Sequence, residues 1–413
     1  MKRIVILGGG TAGTMVANKL QHELPSGQWQ LTVVDQDDTH LYQPGLLLLP
    51  FGVYEPKDLV KGRRRLLDKA VSLVVTSIDR VDADAQQVHL GNGETLAYEV
   101  LLVATGTSPR PDQTPGMEGP EWRRSVHEFF TLEGAIALRD ALKTFEGGRL
   151  VVHIVEMPIK CPVAPLEFAF LADAHFAERG IRDRVEITYV TPLDAAFTKP
   201  VAAKQLGGML ADRKIHLETD FIVDSIDNDA KTLVSMDERE VPFDLLVTIP
   251  LNMGADYVAR SGLGNELNYI PVDRGTMQSK AHPEIFVLGD AADLPTSKAG
   301  SVAHFSVDVF VDNFLDHIQG KPMRHAFDGH ANCFIESGHG KGLLIDFNYD
   351  TEPLPGKYPL PGVGPFTLLG ESHANHWGKL GFRWAYWHLL LPGRPLPVPT
   401  QMSMAGKSVP AAR

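Results

Sequence analysis

The first 35 residues constrain the fold more than any other stretch. Residues 4–7, Ile-Val-Ile-Leu, are a short apolar run rich in β-branched side chains, the pattern of a buried parallel strand. Gly8-x-Gly10-x-x-Gly13 follows at once, with Thr11 and Ala12 inside it. A helix pattern starts at Thr14, and a second apolar run, 31–34, ends in Asp35, 22 residues past Gly13. A lone glycine motif means little. Strand, glycines, helix, strand and acid in this order predict a cradle for a dinucleotide, FAD or NAD. The glycines let the backbone approach a pyrophosphate at the positive end of the helix, and the acid accepts a hydrogen bond from a ribose hydroxyl.

Bulk properties narrow the remaining classes. The chain of 413 residues is long enough for two or three domains. A formal net charge of −12 argues against general nucleic-acid binding. No apolar run is long enough for a transmembrane helix, and the N-terminus lacks the regions of an export signal. The expected location is cytoplasmic, peripheral on the inner face of the cytoplasmic membrane. The two cysteines, Cys161 and Cys333, form no disulfide scaffold and no cysteine-based metal site.

Further along, residues 40–52 read as an apolar loop or short helix, because Pro44 and Pro50 exclude a long one. The basic cluster at 61–69 reads as solvated surface without a role. Strands are expected at 71–78, 87–90 and 95–98, with a Gly-Asn-Gly hairpin turn at 91–93. A buried strand ends in Ala104-Thr105-Gly106, and the Pro- and Gly-rich stretch 110–119 reads as a domain crossing. Residues 132–145 read as a helix, 149–155 as a strand, 167–179 as a helix, 185–190 as a strand and 203–214 as a helix. Strands follow at 221–226, 232–235 and 244–249. The buried run 284–292 then ends in Gly289-Asp290, before a helix from Val302 and Ala303 to 318. The expected fold is α/β, with two Rossmann-like βαβ dinucleotide-binding domains, the second inserted in the first. Their bounds are 1–112 with 250–330, and 113–249. A C-terminal region, 331–413, carries an amphipathic helical segment suited to a membrane surface.

Three signals, the N-terminal fingerprint, Ala104-Thr105-Gly106 and Gly289-Asp290, resemble the flavoproteins with two dinucleotide domains, a family that includes disulfide reductases and type II NADH dehydrogenases. The resemblance implies FAD in the first site, with Asp35 at the adenosine ribose and Asp290 at the ribitol chain. The second domain of that family carries its own glycine motif for NAD(P)H. Here Glu156-Met-Pro-Ile-Lys-Cys-Pro-Val-Ala-Pro165 contains no glycine, three prolines and a cysteine. The nicotinamide site reads as lost and a thiol site as gained. Lys160-Cys161-Pro-x-Ala-Pro165, Asn332-Cys333-Phe334 and the tail His376-Trp-Gly-Lys379-x-x-Phe382 resemble the sulfide:quinone oxidoreductases and the related flavocytochrome c sulfide dehydrogenases.

That resemblance implies a redox disulfide between Cys161, which receives hydrosulfide, and Cys333, the flavin-side thiolate, with two electrons passing by way of FAD to a quinone. From composition alone the two would read as buried structural cysteines. Glu167 reads as the base for the incoming sulfide, or equally as an acid stabilised by a helix N-terminus. Ser125-Val-His127-Glu stands where the family has a third cysteine, so covalent flavin attachment and the exit of product sulfur stay open. His127 reads as a surface or capping histidine in preference to a proton carrier. Phe334, Lys379 and Phe382 are the candidate quinone pocket, with rings that sandwich the quinone and a cation for the developing oxyanion. The helix from Val302 aims its N-terminus at the flavin's pyrimidine edge. Residues 377–391, with three tryptophans, read as an interfacial helix, against a helix docked on the core. Rival readings are a type II NADH:quinone dehydrogenase, a flavocytochrome subunit and a sulfur-carrier or redox-sensing module without quinone turnover. Self-association stays open.

Overall fold

A computed structural model describes residues 1–396 and 398–409. Strand β1 (Lys2–Leu7) leads through the glycine turn into α1 (Thr11–Glu23) and on to β2 (Trp29–Asp35). β1 is central in a five-stranded parallel sheet, with Val100–Val103 on one side and β2 on the other. Ile285–Val287 and Ser72–Val75 form the two edges. Ile4, Val5, Ile6 and Leu7 are at most 2% exposed, because layers cover both faces of the sheet.

The second sheet repeats this plan. β3 (Gly148–Ile154) lies between Leu245–Ile249 and β4 (Val185–Val190), all parallel, with Val126–His127 and Ile215–Glu218 at the edges. α2 (Ala164–Glu178) follows β3. The chain leaves the first sheet after Val103, builds the second, and returns to the first at Ile285. The stretch 71–78 is not one strand. Ser72–Val75 belongs to the first sheet, and Ile78–Asp82 turns into a small antiparallel sheet of its own.

The helix α3 (Gly300–Ile318) runs from the Gly289-Asp290 turn toward the C-terminal region. That region holds more strand than its sequence announced. β5 (Ala331–Gly338) and β6 (Lys341–Phe347) form a hairpin, joined by Gly364–Leu368 and Gly356–Leu360 into a four-stranded sheet. α4 (His373–Ala385) lies on it and continues as a π-helical turn, Tyr386–Leu390. Asn375, fully buried, fastens α4 down: its amide donates to the carbonyls of Gly342 at 2.9 Å and Thr367 at 2.8 Å, and its oxygen accepts from the Thr367 N–H at 3.0 Å. The last residues strap the same sheet. Lys407 pairs with Asp346, which also accepts from His330 at 2.7 Å, and the Lys407 and Asp346 side chains are at most 1% exposed.

Candidate active site

In the first cradle, a Cβ on Gly13 would run into the Gly8 carbonyl, and one on Gly8 into the Ala104 backbone, so these glycines let the turn close on the neighbouring strand. A Cβ on Gly10 would meet nothing within 4 Å, which leaves open space at the N-terminus of α1. Gly9 is the extra feature. Its N–H donates to Asp35 at 2.7 Å, and its carbonyl accepts from Arg63 Nε at 3.0 Å. Arg63 also faces Asp35 at 3.2 Å and donates to the carbonyls of Asp37 and Thr39. Its side chain is 6% exposed, so the basic cluster is not simply solvated surface. Removing one member of such a buried pair costs about 3–5 kcal/mol. Burial raises the Asp35 carboxyl above its usual range, with Arg63 and the Gly9 N–H opposing.

The rest of the first site converges on this turn. The Ala104 N–H donates to Leu7 at 2.7 Å, Thr105 meets the Tyr257 hydroxyl at 3.3 Å, and Gly106 takes φ +66°. Gly289 faces Ala12 and Ala303, so the starts of α1 and α3 meet there, with Val302 lining the adjoining cleft beside Asp290. Burial raises the Asp290 carboxyl, against the pull of Lys298 and Lys160. The open face at Gly10 and a carboxylate flanked by cations fit FAD, which Gly10, Thr11, Asp35 and Asp290 would hold. Sequence reading missed two residues here. Tyr386 accepts or donates to both Thr11 at 2.8 Å and buried His40 at 2.7 Å, which ties the C-terminal turn to the glycine loop. Burial holds His40 down to about 4.

Cys161 lies in the turn between β3 and α2, and Cys333 lies on β5 of the C-terminal sheet. Cys161, with φ 52°, donates its N–H to the Lys298 carbonyl at 2.6 Å. Lys298 Nζ in turn donates to the Asp290 carbonyl at 2.8 Å, so the turn after β3 sits against the Asp290 loop. Cys333 is on β5, beside the start of α3, where Ser301 accepts from the Asn332 N–H at 3.1 Å and its hydroxyl bonds the Cys333 thiol. Both cysteines are free thiols. Burial pushes Cys161 far up, and the charges of Glu167 and Cys333 push it further. Burial and Glu167 push Cys333 up to about 12. One carboxylate therefore acts on both thiols.

Glu167 is in the first turn of α2 and fully buried. Burial raises it to about 7, with Lys379 opposing. It accepts from Lys379 Nζ and from the Glu336 N–H at 2.6 Å, while its second oxygen has no partner among the described residues. Lys379 also donates to the Phe334 carbonyl at 3.2 Å. Burial works to lower the Lys379 ammonium, but Glu167 and Glu336 more than offset it and hold the group above its usual value. Phe334 packs edge-on against Phe366, and Phe382 against Tyr386. His127 is not at the surface: it is 1% exposed, and its Nε2 bonds the Arg124 carbonyl at 3.0 Å. As the final full residue of an edge strand in the second sheet, it is enclosed by tertiary packing that its local sequence does not announce.

Two five-stranded parallel sheets, the first opening on a glycine turn that fits a dinucleotide, define a flavoprotein of the disulfide-reductase class. The family model described as pyridine nucleotide-disulphide oxidoreductase matches residues 2–308, and the chain belongs to that family. Among curated proteins it is similar to the mitochondrial sulfide:quinone oxidoreductase of Dictyostelium discoideum, 26% identical over 398 residues, covering 95% of this chain and 86% of that one. The mouse mitochondrial counterpart is 21% identical, over 94% of this chain and 86% of its own. Among solved structures, the sulfide:quinone oxidoreductase of Aquifex aeolicus superposes with a TM-score of 0.82 at 19% identity over 100% of both chains.

Proposed function

We propose that this protein oxidises sulfide at the Cys161–Cys333 pair and passes the electrons to a quinone. The observation that carries the reading is Glu167, a buried carboxylate raised to about 7 whose charge reaches both thiols at the FAD cradle. The similar curated proteins support it by their names. FAD, when bound, supplies a two-electron acceptor between thiol and quinone.

The residues do the rest. With the pair oxidised, hydrosulfide attacks the Cys161 sulfur. A new S–S bond forms there, the Cys161–Cys333 bond breaks, and Cys333 leaves as thiolate. Glu167 takes the proton of the bound sulfur. Protonated Glu167 no longer repels a thiolate, so accepting that proton makes Cys333 a better leaving group. Ser301 and the N-terminus of α3 stabilise the charge that Cys333 gains. Phe334, Lys379 and Phe382 hold the quinone, and the Lys379 ammonium stabilises its developing oxyanion.

We also assign a peripheral membrane contact to α4. Trp377 and Trp384, seven residues apart and hence on one helix face, are 67% and 61% exposed. Leu360 and Val363 are exposed on the nearby hairpin. This suits an interfacial helix. Among the described residues no helix is long and apolar enough to cross a membrane. The test of the thiol assignment is Cys333→Ala: FAD stays bound and sulfide-dependent bleaching falls at least about 10³-fold. Bleaching at the parent rate would refute the assignment.

A further inference from the structure

Quinone reduction consumes more protons than hydrosulfide releases. Hydrosulfide gives up two electrons and one proton as its sulfur joins the cysteine pair, whereas a quinone takes up two electrons and two protons. One proton per turnover therefore enters from solvent, and the centre that needs it is buried. A row of groups leads there. His376, on α4, has a side chain 22% exposed, and its Nδ1 lies 2.9 and 3.1 Å from the two carboxylate oxygens of Glu336. Glu336, on β5, is 2% exposed. Its N–H donates to Glu167 at 2.6 Å. Lys379, three residues beyond His376 and so on the same side of α4, donates to Glu167 and feels the charge of Glu336.

We propose that His376 and Glu336 are the proton entry of the quinone half-reaction, with His376 taking a proton from solvent and Glu336 handing it to the Lys379–Glu167 pair. The inference rests on the sulfide:quinone reading above. A buried carboxylate costs several kcal/mol unless paired, and a purely structural site would pair it with a permanent charge such as arginine. Here the partner is an imidazole at the boundary with water, a side chain that can both accept and donate a proton. The charged and titratable groups that face Glu336 are Glu167 from α2, Lys379 from α4, Tyr54 from the 40–54 loop and His376 itself. Arg213 is near too, donating to the Ser337 carbonyl, and it is neutralised by Glu371 at 2.9 Å. Among the described residues no lysine or arginine is bonded to the Glu336 carboxylate, and His376 is the side chain that links it to solvent.

The experiment uses full-length, flavin-loaded protein in anaerobic stopped flow, with a pH-indicator dye present. Bleaching by sulfide and recovery with a soluble quinone are timed separately. For His376→Gln and Glu336→Gln, bleaching stays within about twofold of the parent, while recovery and dye-reported proton uptake slow together by about 10²-fold. Added imidazole restores recovery in His376→Ala. Variants that recover at the parent rate overturn the relay alone. Variants that lose both half-reactions together show a structural role and also overturn it. A parent that sulfide does not bleach overturns the underlying reading, and the relay with it.

Discussion

In the first sheet the chain passes from β1 to α1 through residues 8–10, and in the second it passes from β3 to α2 through residues 155–163. The two strands hold the same place, each central in a five-stranded parallel sheet. The first turn is glycine, with open space at Gly10. The second has no glycine, carries prolines at 158 and 162 with Pro165 following in the first turn of α2, and bends through Cys161 at φ 52°. Proline carries no backbone N–H, so this turn has fewer donors to offer a pyrophosphate than a glycine turn has. One scaffold thus offers an open glycine turn in one copy and a cysteine in the other. What differs is whether the turn exposes backbone N–H groups or presents a side chain.

The most damaging change to the first turn is Gly13→Val, whose side chain would collide with the Gly8 carbonyl. FAD should be lost altogether on gel filtration, as read from the absorbance at the flavin band. Retained flavin would mean that the turn does not form the cradle. In the second turn's neighbourhood, Glu167→Gln should slow bleaching by sulfide by about 10²-fold. The sign of its pH dependence follows from the carboxyl being raised to about 7. The base works only when ionised, so the parent rate, expressed per hydrosulfide, should climb as pH rises through about 7 and then level off, and the Gln variant should lose that limb. An unchanged profile would remove Glu167 from the proton path. The smallest effect is expected away from both turns. Replacing Trp377 and Trp384 together with Ser should weaken binding to lipid vesicles by about tenfold, with bleaching unaffected. Equal partitioning would show that α4 does not meet the bilayer.

Both turns were legible in the sequence because each is local. Strand, glycines and acid fall within residues 4–35, and the loss of glycine at 156–165 is visible against the strand before it. What was not legible depends on pairing between distant segments. Arg63 stands between a glycine and two other arginines, and nothing in Gly62-Arg-Arg-Arg65 tells which one turns inward to Asp35. The sheet that carries Cys333 has strands interrupted by Gly and Pro, so its register is set by the partner strands and by Asn375. Glu336 and His376 look like ordinary polar residues until β5 and α4 bring them to 2.9 Å. Tyr386 was read as part of a membrane helix, and the fold instead spends its hydroxyl on His40 and Thr11.

Cys161 stands in the turn where the first sheet keeps its glycine cradle. The direct measurement is an anaerobic absorbance titration of the flavin-loaded protein, with sulfide in one cuvette and NADH in another. Bleaching by sulfide alone, reversed by a soluble quinone, is the predicted result. Bleaching by NADH and not by sulfide would contradict the account, since it would mean that the proline-rich turn still admits the nicotinamide cofactor and that the two cysteines are structural.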